Sequence, residues 1–336
     1  MNRKIISVIA VIIAVISIFA VFFALKKNEG ENGLPVTGKT EDPFKETGSA
    51  YKLYGNKNAV GGGIKTPDSF VYDGKPLELE YFFDAEKPCV MGLMIFVDGM
   101  LQPYIVEDEE KETTMHTVEL GEKDEKSFKV RFTPLTGEKG DELEIYTVNV
   151  YNALVLELKG DINTFGNWQK ATHANPRIIK FNKSVPKSDV AISKNYFSVP
   201  MSAEEIKSYT RTESDGTTSS KLFDCETEIR KGGEILYGKA MLDRESLSDT
   251  EIYVYGKVPG RYRVSLYGDF NKLKINGADY VEVEVKKDEY AVIKLTEADS
   301  EVLNYKNIFA VAAPVDCSSS VSKSSSLYIT DKNGDS

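Results

Sequence analysis

Residues 251–295 read EIYVYGKVPGRYRVSLYGDFNKLKINGADYVEVEVKKDEYAVIKL, and this stretch decides the predicted fold. Apolar and polar side chains alternate within it, as in residues 281–285 (VEVEV), which is the period of a half-buried β-strand. Turn signals separate the runs, among them Pro-Gly at 259–260 and Asn-Gly at 276–277. Short strands spaced by about ten residues, with turns between them, are typical of a β-sandwich.

The rest of the chain carries the same kind of pattern. Residues 77–84 (LELEYFFD) and 128–132 (FKVRF) alternate between apolar and mostly charged side chains. Residues 90–97 (VMGLMIFV) are apolar at nearly every position, which predicts a central strand covered on both faces. Residues 307–315 (NIFAVAAPV) predict a last buried strand. We therefore predict an all-β chain with two tandem immunoglobulin-like β-sandwich domains.

The predicted domain organisation follows from where these strand patterns begin and end. Between them, Ser202 and Glu205 have the spacing of a capping box, which predicts a short helix over residues 203–209. In chain order we predict a cytoplasmic stub (1–4), a transmembrane signal anchor (5–25), a flexible tether (26–50), a first sandwich (51–183), an interdomain segment (184–221), a second sandwich (222–330) and a tail (331–336).

Residues 5–25 (IISVIAVIIAVISIFAVFFAL) predict where the chain is located. They include no charged side chain, and a helix of this length spans roughly 30 Å, enough to cross a hydrocarbon core. Phe22 and Phe23 stand where cleavage of a signal peptide needs small residues, so an uncleaved signal anchor is favoured over a cleaved peptide. This predicts a single-pass protein of the cell membrane whose bulk is extracytoplasmic.

A pentapeptide in the tether resembles the LPxTG sorting signal that sortases cleave on Gram-positive cell surfaces. Its residues are Leu34, Pro35, Val36, Thr37 and Gly38. The resemblance implies cleavage between Thr37 and Gly38 and a Gram-positive source. However, a sorting signal normally precedes an apolar span near the C-terminus, whereas here the span comes first. Cleavage would therefore release the folded part, and a chance match is the alternative interpretation.

The charge balance excludes one class of partner. The chain has 42 basic and 52 acidic residues, and its net charge is −10. An acidic surface repels phosphate backbones, so we predict no nucleic-acid partner.

Four aromatic residues are the candidate ligand contacts. Tyr253, Tyr255 and Tyr267 lie on predicted strands and would form an exposed strip for stacking on a sugar, with ordinary cross-strand packing as the alternative. Trp168, the one tryptophan, lies in the polar stretch 160–176 and predicts a recognition loop. A tryptophan that closes the bottom of a sandwich is the alternative there.

No catalytic residues, cofactor or metal site are predicted. The two histidines, His116 and His173, are far apart, and the acidic runs 107–111 and 331–335 lack the spacing of a calcium loop. Of three cysteines, Cys225 and Cys317 are the pair more suited to a disulfide, with Cys89 left over. Three buried thiols are the other interpretation.

The sequence favours a non-enzymatic function. We predict a membrane-anchored binding or assembly protein of the cell envelope, with a protein partner or a cell-wall glycan as the ligand and the N-terminal helix in the membrane. The alternatives are a surface carbohydrate-binding protein, an accessory subunit of a membrane complex and an envelope hydrolase with unrecognised carboxylates.

Overall fold

The computed structural model describes residues 60–329 apart from residues 87, 108, 152, 154–170, 174–175, 215, 237, 241 and 243–246. All of the described residues belong to one compact unit. The predicted anchor and tether, the sorting-like pentapeptide at residues 34–38 and Trp168 lie outside the described residues.

The described chain is almost entirely β-structure, which confirms the predicted all-β class. Eleven strands form its N-terminal half: β1 (Val60–Thr66), β2 (Ser69–Tyr72), β3 (Leu77–Ala85), β4 (Cys89–Val97), β5 (Met100–Leu101), β6 (Ile105–Val106), β7 (His116–Leu120), β8 (Asp124–Phe132), β9 (Glu142–Tyr151), β10 (Ala171–His173) and β11 (Arg177–Phe181).

These strands build two sheets around one core. Sheet 1 has the order β1-β3-β8-β6, and sheet 2 has the order β2-β11-β9-β4-β5, with β10 also paired to β9 and β7 to β4. Alternate residues of β3, such as Leu79, Tyr81 and Phe83, point into the core. They meet Leu93 and Ile95 of β4 there, so sheets 1 and 2 form the first sandwich.

The described part of the C-terminal half has fifteen strands and two short helices. They are β12 (Ile192–Ser193), β13 (Phe197–Pro200), α1 (Ala203–Ser208), β14 (Thr210–Thr212), β15 (Thr218–Ser220), β16 (Glu226–Lys231), β17 (Glu234–Ile235), β18 (Gly238–Ala240), β19 (Thr250–Tyr255), β20 (Gly260–Gly268), β21 (Asn271–Leu273), β22 (Tyr280–Val285), β23 (Glu289–Lys294), a 3₁₀ helix (Glu297–Asn304), β24 (Asn307–Pro314), β25 (Ser322–Lys323) and β26 (Leu327–Ile329).

A second core lies between two further sheets. Sheet 3 has the order β12-β22-β20-β24-β26-β18, and sheet 4 has the order β13-β23-β19-β16-β17. Tyr262, Val264 and Leu266 of β20 face this core together with Ile252 and Val254 of β19. Sheets 3 and 4 therefore form the second sandwich. The β14–β15 hairpin is a separate two-stranded sheet.

Strands β4 and β24 are buried on both faces. Every residue of each strand is buried, which confirms the central strand predicted at residues 90–97 and the buried strand predicted at residues 307–315. Their inner faces belong to the two separate cores. Their outer faces must therefore be covered by something other than their own sandwich.

Each outer face is covered by the other sandwich. Met94 and Phe96 of β4 belong to one apolar cluster with Phe309, Val311 and Ala313 of β24. The cluster also holds Leu101, Tyr146, Val148, Val150, Ala153, Tyr267, Phe270 and Val321. We call this set the interdomain cluster. Because it removes apolar surface of both sandwiches from water, it holds sheet 2 against sheet 3.

Polar contacts lie beside the interdomain cluster. The Arg263 guanidinium donates to the carbonyl oxygen of Asp98 at 2.5 Å and to its carboxylate at 2.8 Å. It also donates to the Glu282 carboxylate at 3.4 Å. The Leu101 N–H donates to the Tyr280 hydroxyl at 2.9 Å. These groups are largely buried, so the contacts compensate for removing them from water.

The turn between β4 and β5 allows the two sandwiches to approach closely. Gly99 has a φ of +71°, and a side-chain carbon there would lie 2.9 Å from Arg263 Cβ and 3.0 Å from the Ala313 carbonyl oxygen. Only glycine fits this position without strain.

The segment at residues 184–221 contributes to both sheets of the second sandwich. Within it, β12 pairs with β22 of sheet 3, and β13 pairs with β23 of sheet 4. Helix α1 begins after Ser202, whose hydroxyl accepts from the Glu205 N–H at 3.2 Å, while the Glu205 carboxylate accepts from the Ser202 N–H at 2.7 Å. This is the capping box that the sequence pattern indicates.

The predicted single-pass membrane localisation is contradicted. Across the described part of the chain, no helix combines the length and the apolar character that crossing a bilayer requires. Residues 5–25, on which that prediction rests, are not among the described residues.

Lys323 of β25 places an amine beside the interdomain cluster. Part of its side chain is exposed, but Nζ is enclosed: it donates to Ser326 Oγ at 2.8 Å and to the Ser324 carbonyl at 3.1 Å, and it lies 4.3 Å from the centre of the Phe309 ring. Among the described residues no carboxylate forms an ion pair with it. Burial lowers the pKa of this amine from 10.5 to about 7.

We expect this lysine to make stability depend on pH. The unfolded chain binds the Lys323 proton below its ordinary pKa of 10.5, whereas the folded chain binds it only below about 7. The free energy of unfolding therefore increases as pH rises from about 7 to about 10.5, by roughly 2 kcal/mol for this partly exposed side chain. Urea unfolding across this pH range should show a smaller increase for Lys323→Met and an unchanged one for Lys286→Met, which removes an exposed amine. If the free energy of unfolding rises equally with pH in wild type and in Lys323→Met, Lys323 is not the source of the pH dependence.

Candidate functional site

The outer face of sheet 4 carries polar and aromatic side chains of the second sandwich. Strand register sets which of them are neighbours. One row across the sheet consists of Phe197, Val292, Tyr253 and Glu228. The next row consists of Lys294, Glu251 and Arg230. Because side chains alternate along each strand, all of these residues lie on the face turned away from the core.

Half of this face is covered by the segment around α1. Met201, Ile206, Tyr209 and Leu222 pack on Tyr255 and Tyr290. Tyr209 and Tyr255 have ring centres 5.9 Å apart, and the Tyr290 hydroxyl donates to the Glu205 carboxylate at 3.0 Å. The helix is therefore fastened to one end of the sheet and leaves the other end open.

The Arg230 guanidinium lies against the rings of Tyr253 and Tyr290. It is 4.2 Å from the centre of the Tyr253 ring and 4.9 Å from that of Tyr290. Its Nε and Nη2 donate to one carboxylate oxygen of Glu228 at 2.9 and 2.7 Å. Burial alone would lower the pKa of Arg230, but hydrogen bonds from its guanidinium to Glu228 and the charge of that carboxylate raise it. The cation stays charged and fixes the orientation of the rings.

Two tyrosine hydroxyls of this face donate hydrogen bonds to carboxylates. Tyr253 donates to Glu251 at 3.0 Å, and Tyr255 donates to Glu228 at 2.8 Å. Each carboxylate keeps further lone pairs that can accept from a ligand. Burial, followed by the Glu251 interaction, raises the pKa of Tyr253, so this hydroxyl remains a donor at neutral pH.

The uncovered half of the face ends at an edge strand. Strand β13 is the last strand of sheet 4 on this side within the described chain. Phe197, Ser198 and Pro200 are exposed, and Phe197 keeps 45% of its surface open to solvent. Arg230 is buried against the Tyr253 ring. We call Phe197, Tyr253, Glu251 and Lys294, which line the uncovered half, the open face. It combines exposed aromatic surface, both signs of charge and a free strand edge.

The structure separates the three tyrosines that the sequence groups together. Tyr253 and Tyr255 are neighbours on sheet 4, where Tyr253 is half-buried and Tyr255 is buried. Tyr267 lies on sheet 3, is fully buried in the interdomain cluster and stacks on Phe309 with ring centres 5.0 Å apart. It therefore does not belong to the open face. Trp168 is outside the described residues.

Sequence reasoning missed Phe197 and Arg230. Phe197 lies in the segment predicted to join two domains, where no sheet was expected. Phe197 and Val199, two strand-favouring residues separated by Ser198, were the signal that could have identified strand β13. Arg230 becomes visible only once β16 is paired with β19.

A shallow cavity of about 390 Å³ lies on the first sandwich. Glu78, Glu107, Lys129, Val130 and Arg131 line it. The Glu107 carboxylate accepts from the Lys129 N–H at 3.0 Å. The cavity has a mixed charge and no aromatic side chain among these residues, so it offers a ligand less apolar contact than the open face does.

The described residues hold no group of three or more metal-ligating side chains. The cysteines Cys89, Cys225 and Cys317 are free thiols.

No family model matches the sequence, and no curated protein matches it. Among solved structures, the chain is similar to the CsuC–CsuE chaperone–tip adhesion subunit pre-assembly complex of Acinetobacter baumannii, with 9% identity over 81% of this chain and 99% of that chain and a TM-score of 0.19. It is similar to the SafA pilin–SafB chaperone complex of Salmonella enterica, with 9% identity, coverage of 79% and 95%, and a TM-score of 0.23. It is also similar to the E. coli chaperone DraB, with 9% identity, coverage of 79% and 96%, and a TM-score of 0.23. Similarities this weak carry no conclusion about this chain.

Proposed function

We propose that this chain is a non-enzymatic binding or assembly protein that takes a polypeptide partner at the open face. The observation that carries this proposal is the exposed edge strand β13 next to a fixed aromatic group. An extended peptide can add a strand to such an edge through its backbone groups, while its side chains contact the adjoining surface. We also propose that both sandwiches are immunoglobulin-like, as the strand spacing predicts.

The surface chemistry favours a protein over a charged polymer. Arg230 is buried and paired with Glu228. The opposite charges of Lys294 and Glu251 remain, so the open face has no dominant charge. Phe197 supplies exposed apolar surface, which is the feature that anchors protein interfaces. Pro200 ends the strand and limits how far a partner strand can extend.

A saccharide is the second candidate ligand. Tyr253 is half-buried and rests on Arg230, so a fixed aromatic ring stands beside the carboxylate of Glu251 and the amine of Lys294. This combination suits a sugar that stacks one apolar face and donates its hydroxyls to the flanking groups.

Quantitative affinity capture from an extract of the source cell tests the protein partner. We expect Phe197→Ser to lower the recovery of specifically bound proteins by about tenfold, because truncating an interface anchor costs at least about 1.4 kcal/mol. Val71→Ser is the matched control, since Val71 is 54% exposed on β2, an edge strand of the first sandwich. Equal recovery with wild type and Phe197→Ser, or a loss confined to Val71→Ser, would contradict the proposal.

A glycan array separates the second candidate from the first. If the ligand is a saccharide, wild type binds a defined set of neutral glycans and Tyr253→Ala loses that binding, whereas Val71→Ser retains it. If wild type binds no glycan on the array, the saccharide is ruled out as the ligand and the polypeptide partner remains.

A further inference from the structure

Cys225 and Cys317 lie at the same end of the second sandwich, on its two different sheets. Cys225 directly precedes β16 of sheet 4, and Cys317 follows β24 of sheet 3. Cys225 belongs to the core between these sheets, and Cys317 packs against that core. A covalent link between them would join the sheets at this end.

The turn between β19 and β20 packs against both cysteine segments. A side-chain carbon at Gly256 would lie 2.8 Å from Cys225 Cα, and one at Gly260 would lie 2.6 Å from Cys317 Sγ. Hydrogen bonds fix the same arrangement: the Val258 N–H donates to the Asp224 carbonyl at 3.2 Å, and the Arg261 N–H donates to the Asp316 carboxylate at 3.0 Å.

Tyr262 belongs to the core on which both cysteines pack. Its hydroxyl lies 3.0 Å from the Val258 carbonyl oxygen, to which it can donate, and 2.8 Å from Ser319 Oγ. Cys317 Sγ lies 3.8 Å from the carbonyl oxygen of the neighbouring Arg261, and Cys317 packs against the core cluster that holds Tyr262 and Cys225. The two cysteines therefore pack on the same end of one core although 91 residues separate them in the sequence.

We propose that Cys225 and Cys317 form a reversible disulfide that ties sheet 3 to sheet 4, with a low-molecular-weight disulfide such as oxidised glutathione as the oxidant. This inference does not depend on the proposed function.

The exchange begins at Cys317, because it is the more exposed of the two thiols. Its thiolate attacks one sulfur of the glutathione disulfide, forms a mixed disulfide and releases one glutathione thiolate. The Cys225 thiolate then attacks the Cys317 sulfur and displaces the second glutathione. The two cysteines lose two electrons and two protons, and the oxidant becomes two molecules of reduced glutathione.

Both thiols react slowly at neutral pH. Burial raises the pKa of Cys317 and raises that of Cys225 well above its ordinary value. Since only the thiolate attacks a disulfide, oxidation is best carried out at about pH 9.

Mass spectrometry of the oxidised full chain tests the proposal. The protein is incubated with oxidised glutathione, remaining thiols are alkylated, and the chain is digested without reduction. We expect one cross-linked pair of peptides that carries Cys225 and Cys317, with Cys89 alkylated. Cross-links to Cys89, glutathione adducts without a cross-link, or alkylation of all three thiols would overturn the proposal.

Thermal melting shows whether the bond ties the sheets together. Oxidation should raise Tm by roughly 5–10 °C because the closed loop is long. Cys89→Ala should keep this increase, since Cys89 lies in the core of the first sandwich, and Cys317→Ser should lose it. A cross-linked wild type with an unchanged Tm would contradict the structural role of the bond. The peptide mapping of wild type stands even where a cysteine variant fails to fold.

Discussion

Replacing Arg263 with methionine lowers the free energy of unfolding by about 3 kcal/mol at pH 8, because it leaves a buried carboxylate without its cation. The Arg263 side chain is 10% exposed, and that of its partner Asp98 is 14% exposed. Methionine retains much of the apolar stem and removes the charge. Glu282 loses less of its electrostatic stabilisation, since Arg261 and Lys194 also lie 3.4 Å from its carboxylate. Urea unfolding measures the effect.

Arg261→Met is the matched control for this prediction. The Arg261 side chain is 46% exposed, so its loss should cost less than about 1 kcal/mol. Burial raises the pKa of Asp98 even with Arg263 beside it. In the Arg263→Met variant this carboxyl is therefore protonated more readily, and the loss should be smaller at pH 5 than at pH 8. Equal losses for the two variants would show that Arg263 does not fasten the sandwiches together.

A second large effect is expected from Phe309→Ala. Phe309 is fully buried, stacks on Tyr267 and has its ring centre 5.3 Å from that of Phe270. Its removal leaves a cavity between the sandwiches, and such truncations lower the free energy of unfolding by about 3–5 kcal/mol. Chemical denaturation should show this loss with a clear shift of the midpoint.

Phe223→Ala provides the comparison for Phe309→Ala. Phe223 is 59% exposed, so truncating it should change stability by no more than about 0.5 kcal/mol. If Phe309→Ala proves as mild as Phe223→Ala, then the interdomain cluster does not contribute to the stability of the chain.

Periodicity predicted much of the fold because it reports which side chains leave water. The all-β class, the double burial of β4 and the face shared by Tyr262, Val264 and Leu266 were all accessible in this way. The start of α1 was accessible because a capping box is a local feature.

The sequence could not show which element covers each buried strand face, because the alternation of apolar and polar residues indicates only that a face is buried. Tyr267 points away from its own core, as its alternation indicates, yet the other sandwich buries it. The same limit applies to the candidate site. Phe197 and Tyr253 become neighbours only through the pairing of β13, β23 and β19, and these strands are distant in sequence.

The interdomain cluster bears on how the open face would act. A partner bound at β13 contacts only the second sandwich, but sheet 3 of that sandwich is fastened to sheet 2. Binding there therefore engages one body rather than a loosely linked domain, which reduces the entropy lost on association.

Differential scanning calorimetry of the full chain tests most directly whether the two sandwiches form one cooperative body. We expect a single transition for wild type, with equal calorimetric and van't Hoff enthalpies. Two independent transitions in the wild-type protein would contradict it.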